Sequence, residues 1–88
     1  MNERDLERTM KALANRRRLS ILRYLKGRKE ANVGDIAEEI RLSFKATSKH
    51  LGVLSAADIV DREQRSLQMF YRLAPKPPPG ARPVLSLL

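Results

Sequence analysis

Apolar residues recur at helical spacing along the first part of the chain. Two sets share this spacing: Leu6, Met10 and Leu13, then Leu19, Leu22 and Leu25. Apolar positions three or four residues apart form one face of an amphipathic helix, so the pattern predicts helices near residues 3–13 and 16–26. Asn15 separates them as an N-cap, and Gly27 is placed for a left-handed cap at the end of the second helix.

Residues that cap helices also mark two later elements. Asn32, with Asp35 three residues on, predicts a capping box at the start of a third helix near 33–40. Ser43 predicts the N-cap of a fourth helix that runs to about Ala57. The chain therefore contains four short predicted helices.

The apolar spacing changes to two residues near the C-terminal end. Apolar and polar positions alternate through Leu67, Gln68, Met69, Tyr71, Arg72 and Leu73. This alternation is typical of a half-buried strand, and residues 59–63 are its expected antiparallel partner. The tip, Gln64 to Ser66, lacks the Asn-Gly or Asp-Gly pair that favours a tight turn, so we expect a wider loop. The expected fold is mainly α with a small β-hairpin, in the α+β class.

Prolines interrupt the regular pattern after residue 74. Four of residues 75–79 are proline, which excludes a long regular helix there. The segment nevertheless ends in apolar residues, namely Val84, Leu85, Leu87 and Leu88. We expect a domain at residues 1–74, followed by a proline-rich tail at 75–88 that packs, with a dimer interface as one location.

The chain is strongly basic. Its 88 residues include 18 Lys or Arg and 10 Asp or Glu, which gives a net charge of +8. Residues 8–29 contain cations and no acid, whereas residues 30–40 contain acids and no cation. Such a balance favours a polyanionic partner, either nucleic acid or an acidic membrane surface. No apolar stretch is long enough to span a bilayer, and the first residues are not those of a signal peptide, so we expect a soluble, cytoplasmic protein.

The fourth predicted helix has two different faces. One face carries Thr47, His50, Leu51 and Leu54, and the other carries Lys45, Ser48, Lys49 and Gly52. An outward face with two cations, a hydroxyl and a glycine suits the major groove of DNA, because lysine and serine donate to base edges and glycine lets the backbone approach. A solvated surface without a ligand is the alternative reading of the same face.

The order of elements adds a resemblance to this pattern. Helix 33–40, a break from Arg41 to Phe44, a helix and a hairpin follow the order of a winged helix-turn-helix. Six segments then carry the resemblance: KALANRRRLSIL at 11–22, VGDIA at 33–37, LS at 42–43, SKHLGVL at 48–54, IV at 59–60 and YRL at 71–73. Over about residues 8–73 the chain resembles the ArsR (arsenic-repressor-like) family of winged-helix transcription regulators. The resemblance implies a small dimeric repressor that binds an operator.

The resemblance also implies residue roles. The base-reading positions of the family fall on Phe44, Lys45, Ser48 and Lys49, and its wing contacts fall on Gln64 and Arg65. Phe44 departs from the polar residue usual in the family, which favours packing over contact with a thymine methyl. Arg16, Arg17 and Arg18 open the second helix and are expected to hold backbone phosphates, with solvated surface as the alternative for Arg18.

No cofactor and no metal site is expected. The chain has no cysteine, and one metal site known in the family falls on Asn32 and Gly34. A second would fall in the proline-rich tail, which has no histidine. His50 is the only histidine and lies on the core face of its helix, which favours a hydrogen-bonded packing role. Neither a nucleophile with its base nor a facing pair of carboxylates can be assembled, so we expect no enzyme.

Double-stranded DNA is the favoured partner, and two other functions fit part of the pattern. A winged-helix module without operator specificity could bind protein or RNA, and a small basic enzyme could act on nucleic acid. The exposed face with Lys45, Ser48 and Lys49 favours an operator, and a palindromic operator needs two copies of the chain. Apolar residues that the predicted core does not use then predict a homodimer. The expected interface consists of Leu6, Met10, Leu13, Leu85 and Leu88.

Overall fold

Five helices and a three-stranded antiparallel sheet form the computed structural model, which describes residues 1–88. The helices are α1 (Glu3–Leu13), α2 (Arg16–Lys26), α3 (Val33–Ile40), α4 (Phe44–Ala56) and α5 (Arg82–Leu87). The strands are β1 (Ala31–Asn32), β2 (Val60–Arg65) and β3 (Gln68–Leu73), and β3 lies between the other two. The predicted winged helix-turn-helix of the α+β class is confirmed. None of the helices has the length and apolar character that a membrane crossing needs.

The predicted helix starts are confirmed by their caps. The side chains of Asn15, Asn32 and Ser43 each accept a hydrogen bond from the backbone N–H three residues later, at 2.8 to 3.1 Å. Each bond satisfies a donor that the first turn of a helix leaves free. The capping box is only half formed, because Asp35 contributes its backbone N–H and not its carboxylate.

The predicted left-handed cap at Gly27 is wrong. Gly27 has a φ of −88°, so it is not left-handed. The N–H of Arg28 donates to the carbonyl of Leu25 at 3.0 Å, and this tight right-handed turn ends α2. The left-handed helix end lies instead at Arg41, with a φ of 56° after α3. It turns the chain sharply from α3 into α4.

The core lies between the helices and one face of the sheet. Its fully buried members include Ile21, Leu22, Leu25, Ile36, Leu51, Leu54 and Ile59. Full burial of an aliphatic side chain stabilises a protein by about 1.5–3 kcal/mol. The cluster contains residues of α2, α3 and α4, so it fixes the orientation of α4 relative to the other two helices.

The hairpin is tighter than the sequence pattern predicted. β2 and β3 pair as far as Arg65 and Gln68, which leaves a two-residue turn at Ser66 and Leu67. Ser66 takes a positive φ of 57°, as the tight hairpin turns require, without the usual glycine or asparagine. The expected wide loop over Gln64 to Ser66 is therefore wrong. Leu67, assigned to a strand, is 97% exposed in the turn.

The proline-rich tail packs on the same core as the helices. Ala81 is fully buried, and three half-buried residues contact the core: Val84, Leu85 and Leu88. The tail forms only the six-residue α5, and Lys26 Nζ donates to the carbonyl of Leu85 at 2.9 Å. Gly80 lies against α1, where an added Cβ would be 2.9 Å from Leu6 Cδ1.

Candidate nucleic-acid interface

The exposed face of α4 presents the residues expected to read bases. Lys45 and Lys49 are exposed and form no salt bridge, and Ser48 is half-buried between them. Gly52 is exposed, and nothing lies within 4 Å of the position a Cβ would take. On the opposite face Thr47, Leu51 and Leu54 are fully buried and His50 is half-buried. The helix is thus held by one face, and both cations of the other face are free to meet phosphates or base edges.

Phe44 begins α4 and is largely exposed. Its side chain is 62% exposed, and with Leu67 and Met69 it lines a crevice of about 160 Å³ between α4 and the hairpin. The ring lies largely outside the core, and the core residue Val33 lines the same crevice, so the packing role favoured from the sequence stays a prediction. The ring is available for apolar contact with a partner.

The start of α2 lies beside the turn between α3 and α4. Arg17 Nη1 donates to the carbonyl of Ile40 at 3.1 Å, which holds α2 against the end of α3. Arg16 is exposed and makes no ion pair. Both arginines remain exposed, so this end of α2 adds positive charge next to the helix-turn-helix.

Arg18 joins α2 to two other helices. Its guanidinium donates to the carbonyls of Ala12 and Lys11, at 2.6 and 3.1 Å, and lies 3.2 Å from Nδ1 of His50. A guanidinium only donates, so Nδ1 accepts and the proton of the neutral ring is on Nε2. The hydrogen-bonded packing role expected for His50 is confirmed. Arg18 is not merely solvated, since it braces α1 and α4.

Arg65 lies in a strand and is held by two carboxylates. Both of its terminal nitrogens donate to Glu30, with Nη2 to Oε1 at 2.6 Å, and Nη2 also donates to Glu63 at 3.1 Å. These hydrogen bonds, together with the charge of Arg65, lower the pKa of Glu30 and of Glu63. The guanidinium also lies over the ring of Phe70. Arg65 is therefore not part of a loop, as the expected wide turn would have required, because this ion-pair cluster fixes the end of β2 to the loop before β1.

The other polar residues of the hairpin differ in whether their side chains have a hydrogen-bond or ion-pair partner. Gln64 is exposed and its Nε2 donates to the carbonyl of Ser66 at 3.4 Å. Arg72 Nη1 donates a hydrogen bond to Oε1 of Glu63 at 3.4 Å. Arg62 is exposed and has no carboxylate partner. The sequence reasoning missed Arg62, since residue order does not show which hairpin arginine is paired.

Acidic residues limit the basic surface on the outer face of α3. Asp35, Glu38 and Glu39 line an open cleft with Tyr24 and Arg41. Their charge would repel phosphates, so a nucleic acid would avoid this side. The structure brings together no group of three acidic or histidine side chains that could hold a metal ion.

Comparison with known proteins identifies this arrangement of elements. A family profile described as a helix-turn-helix domain matches residues 13–63, from the end of α1 into β2. The homodimeric winged helix-turn-helix DNA-binding domain of Mb0332 from Mycobacterium bovis, a possible ArsR-family transcriptional regulator, superposes with a TM-score of 0.79 at 29% identity. That match covers 94% of this chain and 73% of Mb0332. The chain belongs to the ArsR-like winged helix-turn-helix regulators.

Two curated relatives of this ArsR-like chain regulate transcription in opposite directions. HlyU of Vibrio cholerae, a transcriptional activator, is 33% identical over 84% of this chain and 74% of HlyU. SdpR of Bacillus subtilis, a transcriptional repressor, is 31% identical over 77% of this chain and 74% of SdpR. The structure of reduced HlyU superposes with a TM-score of 0.81 and 31% identity, covering 99% of this chain and 87% of HlyU. The relatives are regulators rather than enzymes.

The residues expected at a dimer interface do not share one environment. Leu6 and Met10 are 39% and 43% exposed on α1, whereas Leu13 is buried in the core of its own chain. Leu85 and Leu88 are half-buried against the same core. Leu13 therefore has little surface to offer a partner. Leu87, which belongs to the apolar tail that the sequence analysis assigned to packing, is 83% exposed.

Thr47 is a fully buried polar residue in α4, and its hydroxyl has no hydrogen-bond partner. A buried polar group without a partner costs about 1–3 kcal/mol, and valine has nearly the same shape. We expect Thr47→Val to raise the free energy of unfolding by about 1 kcal/mol, measured by urea denaturation. Thr9→Val is the matched control, because the buried Thr9 hydroxyl donates to the carbonyl of Asp5 at 3.1 Å. An equal gain in both variants would contradict this reading.

The stability of this ArsR-like chain should depend on pH through His50. Burial lowers the pKa of His50 from 6.5, and the charges of Arg18, Arg17 and Lys49 lower it further. The unfolded chain therefore takes up the proton at a higher pH than the folded chain, so stability falls as pH drops below about 6.5. We expect the urea midpoint to fall between pH 7 and pH 5.

His50→Gln should remove most of that fall, because the chain has one histidine. The Glu30 and Glu63 carboxylates have lowered pKa values and respond mainly to stronger acid. The same pH dependence in wild type and His50→Gln would assign it to other groups.

Proposed function

We propose that this ArsR-like chain is a repressor that binds a palindromic operator as a homodimer. α4 lies in the major groove, with Lys45, Ser48 and Lys49 toward base edges, and the free N–H groups at its start face a phosphate. The observation that carries the proposal is the exposed face of α4, whose cations have no carboxylate partners. We propose the cytoplasm as the compartment in which it meets DNA, and no metal or cofactor enters the proposal.

The proposed contacts with the DNA backbone come from α2 and the hairpin. Arg16 and Arg17 hold phosphates beside the turn between α3 and α4. In the hairpin, Arg62 is the proposed phosphate contact, since no carboxylate compensates its charge. Gln64 contacts the backbone or the minor groove, and Arg65 positions the hairpin through its carboxylates. Phe44 supplies an apolar contact at the start of α4.

The proposed dimer interface is built on α1 and the tail. Leu6, Met10 and Leu87 are exposed apolar side chains outside the DNA-reading surface. Leu85 of α5 and the following Leu88 are half-buried against the core and flank Leu87 in the chain. Two copies would place their reading helices about 34 Å apart on one face of the duplex. The homodimeric Mb0332 domain has the same fold.

Sedimentation tests the dimer separately from DNA binding. The chain has a mass of 10.0 kDa, so we expect a species of about 20 kDa at micromolar concentration. The double variant Leu6→Glu, Met10→Glu should sediment as a monomer, whereas Leu67→Glu, in the hairpin turn, should not change the mass. A wild-type monomer that still binds duplex DNA tightly would contradict the dimer.

Selection of bound duplexes from a random pool, at two salt concentrations, tests the proposed function. We expect an enriched palindromic sequence that persists at the higher salt, since base contacts and not only phosphate contacts hold it. Recovery of all sequences alike would contradict operator recognition. Such a result, with tighter binding to RNA or to a protein, would favour the winged-helix module without operator specificity.

A further inference from the structure

A groove lies between α1 and the C-terminal half of α4. Its volume is about 480 Å³, which is within the range of about 300–1,000 Å³ typical of small-molecule sites. The apolar residues that line it are Ala12, Val53, Ala56 and Ala57. The charged residues that line it are Arg4, Glu7, Arg8, Lys11 and Arg18. The groove thus combines an apolar floor with a mainly cationic rim.

The rim has more positive charge than its one carboxylate can balance. Lys11 lies 4.0 Å from Glu7 in an exposed pair, and neither Arg4 nor Arg8 forms a salt bridge. Arg18 is held by backbone carbonyls, which orient its guanidinium but do not neutralise it. Guanidinium groups bind carboxylates through paired hydrogen bonds. The rim is therefore complementary to an anionic head group.

Neither proposed surface of the protein uses this groove. Arg4 lies two positions before Leu6, and Arg8 lies two positions before Met10. Each arginine is therefore about 200° away from its apolar neighbour around α1. A dimer through Leu6 and Met10 leaves the groove open. Along α4 the groove begins at Val53, about one turn beyond Lys49, whereas base contacts come from the start of a recognition helix.

We propose that the groove binds an organic monocarboxylate with an apolar body. The carboxylate lies among the arginines of the rim, and the apolar body covers the alanines and Val53. An inorganic anion would leave this floor exposed to water, and a neutral apolar molecule would leave the cations unused. An adjoining hollow of about 240 Å³ contains Asp5 and Asp58 beside Arg8, so the head group lies away from these two carboxylates, toward Arg18.

Arg18 connects the proposed ligand site to α4. The same guanidinium that lines the groove lies 3.2 Å from Nδ1 of His50, which is the neighbour of Lys49 in the chain. A bound carboxylate competes with His50 for the donors of Arg18. Ligand binding therefore changes the contact that braces α4. Any effect on DNA rests on the proposed function, whereas the binding itself does not.

Titration of the full chain with octanoate, followed by NMR of methyl groups, tests the site. We expect saturable shifts of the methyl signals of Ala12, Val53, Ala56 and Ala57, together with a shift of the His50 ring signals. 1-Octanol has the same apolar body without the charge, and inorganic phosphate has charge without the body. Both should bind at least about tenfold more weakly than octanoate, a difference of about 1.4 kcal/mol.

Two variants locate the ligand in the groove. Arg4→Gln with Arg8→Gln removes two exposed rim cations and should weaken octanoate at least about tenfold. The matched control is Arg23→Gln with Arg82→Gln, which removes the same charge elsewhere and should leave the affinity nearly unchanged. Val53→Asp places a carboxylate on the floor, at a position that is 38% exposed, and should abolish binding.

Several results would overturn the proposal. One is the absence of methyl shifts at octanoate concentrations well above about 1 mM, and another is phosphate binding as tightly as octanoate. Equal loss of affinity in the rim variant and its control would mean that octanoate responds to the net charge of the protein and not to this groove. Shifts without any change at His50 would overturn the link through Arg18. If no duplex is selected, the proposed function fails, and the methyl shifts still decide the ligand site.

Discussion

Lys49→Ala is expected to weaken binding to the selected operator by about 1–3 kcal/mol per half-site and to relax the preference at one base pair. Lys49 is exposed on α4, one turn beyond Lys45, and makes no ion pair. Its ammonium group is therefore free to donate to a base edge. The measurement is binding to a matched set of operators that differ from one another by a single base pair.

Arg23→Ala is the matched control for Lys49→Ala. Arg23 is an exposed cation of α2 without an ion pair, so this variant removes the same charge away from the reading face. It should weaken all duplexes slightly and keep their ranking. Arg65→Ala should also keep the ranking, because it loosens the hairpin rather than removing a base contact. If Lys49→Ala leaves the ranking unchanged while Arg65→Ala alters it, the wrong surface has been assigned to the major groove.

Leu51→Ala is expected to lower the free energy of unfolding by about 2–5 kcal/mol. Leu51 is fully buried and lies one turn after Thr47 on the core face of α4. The substitution removes apolar contacts and leaves a cavity among residues of α2, α3 and α4. Small domains are stable by only about 5–15 kcal/mol, so a large fraction of the stability should be lost. Urea denaturation followed by circular dichroism measures the change.

Val53→Ala provides a comparison on the same helix. Val53 is partly exposed, so its truncation should cost less than about 1 kcal/mol. Losses of equal size at the two positions would mean that α4 is held mainly by something other than its buried face. The apparent DNA affinity of Leu51→Ala should fall only in proportion to the fraction of molecules that remain folded.

The first four helices were predictable because their signals are local, whereas α5, in the proline-rich tail, was not predicted. Asn15, Asn32 and Ser43 each bond the backbone three residues away, and apolar spacing then shows which face of each helix is buried. The exposed cations of α4 followed from the same spacing. Strand β1 was not predicted, because two residues are too short to show any periodicity.

The hairpin was less predictable because its constraints come from far along the chain. Glu30 and Arg65 are 35 positions apart, and nothing in their order shows that they meet. Without that contact, the end of β2 looks like a free loop. The environment of Arg18 was missed for a similar reason, since its contact with His50 spans 32 positions.

The clamped hairpin also affects how fast the protein can find DNA. Because Glu30 and Glu63 fix Arg65 in the free chain, the hairpin does not have to be ordered during docking. Association then approaches the encounter of two rigid bodies, for which orientation and electrostatic steering set the rate constant. Breaking the ion-pair cluster of Arg65 without altering α4 would therefore lower the association rate constant for DNA more than it raises the dissociation rate constant of the complex.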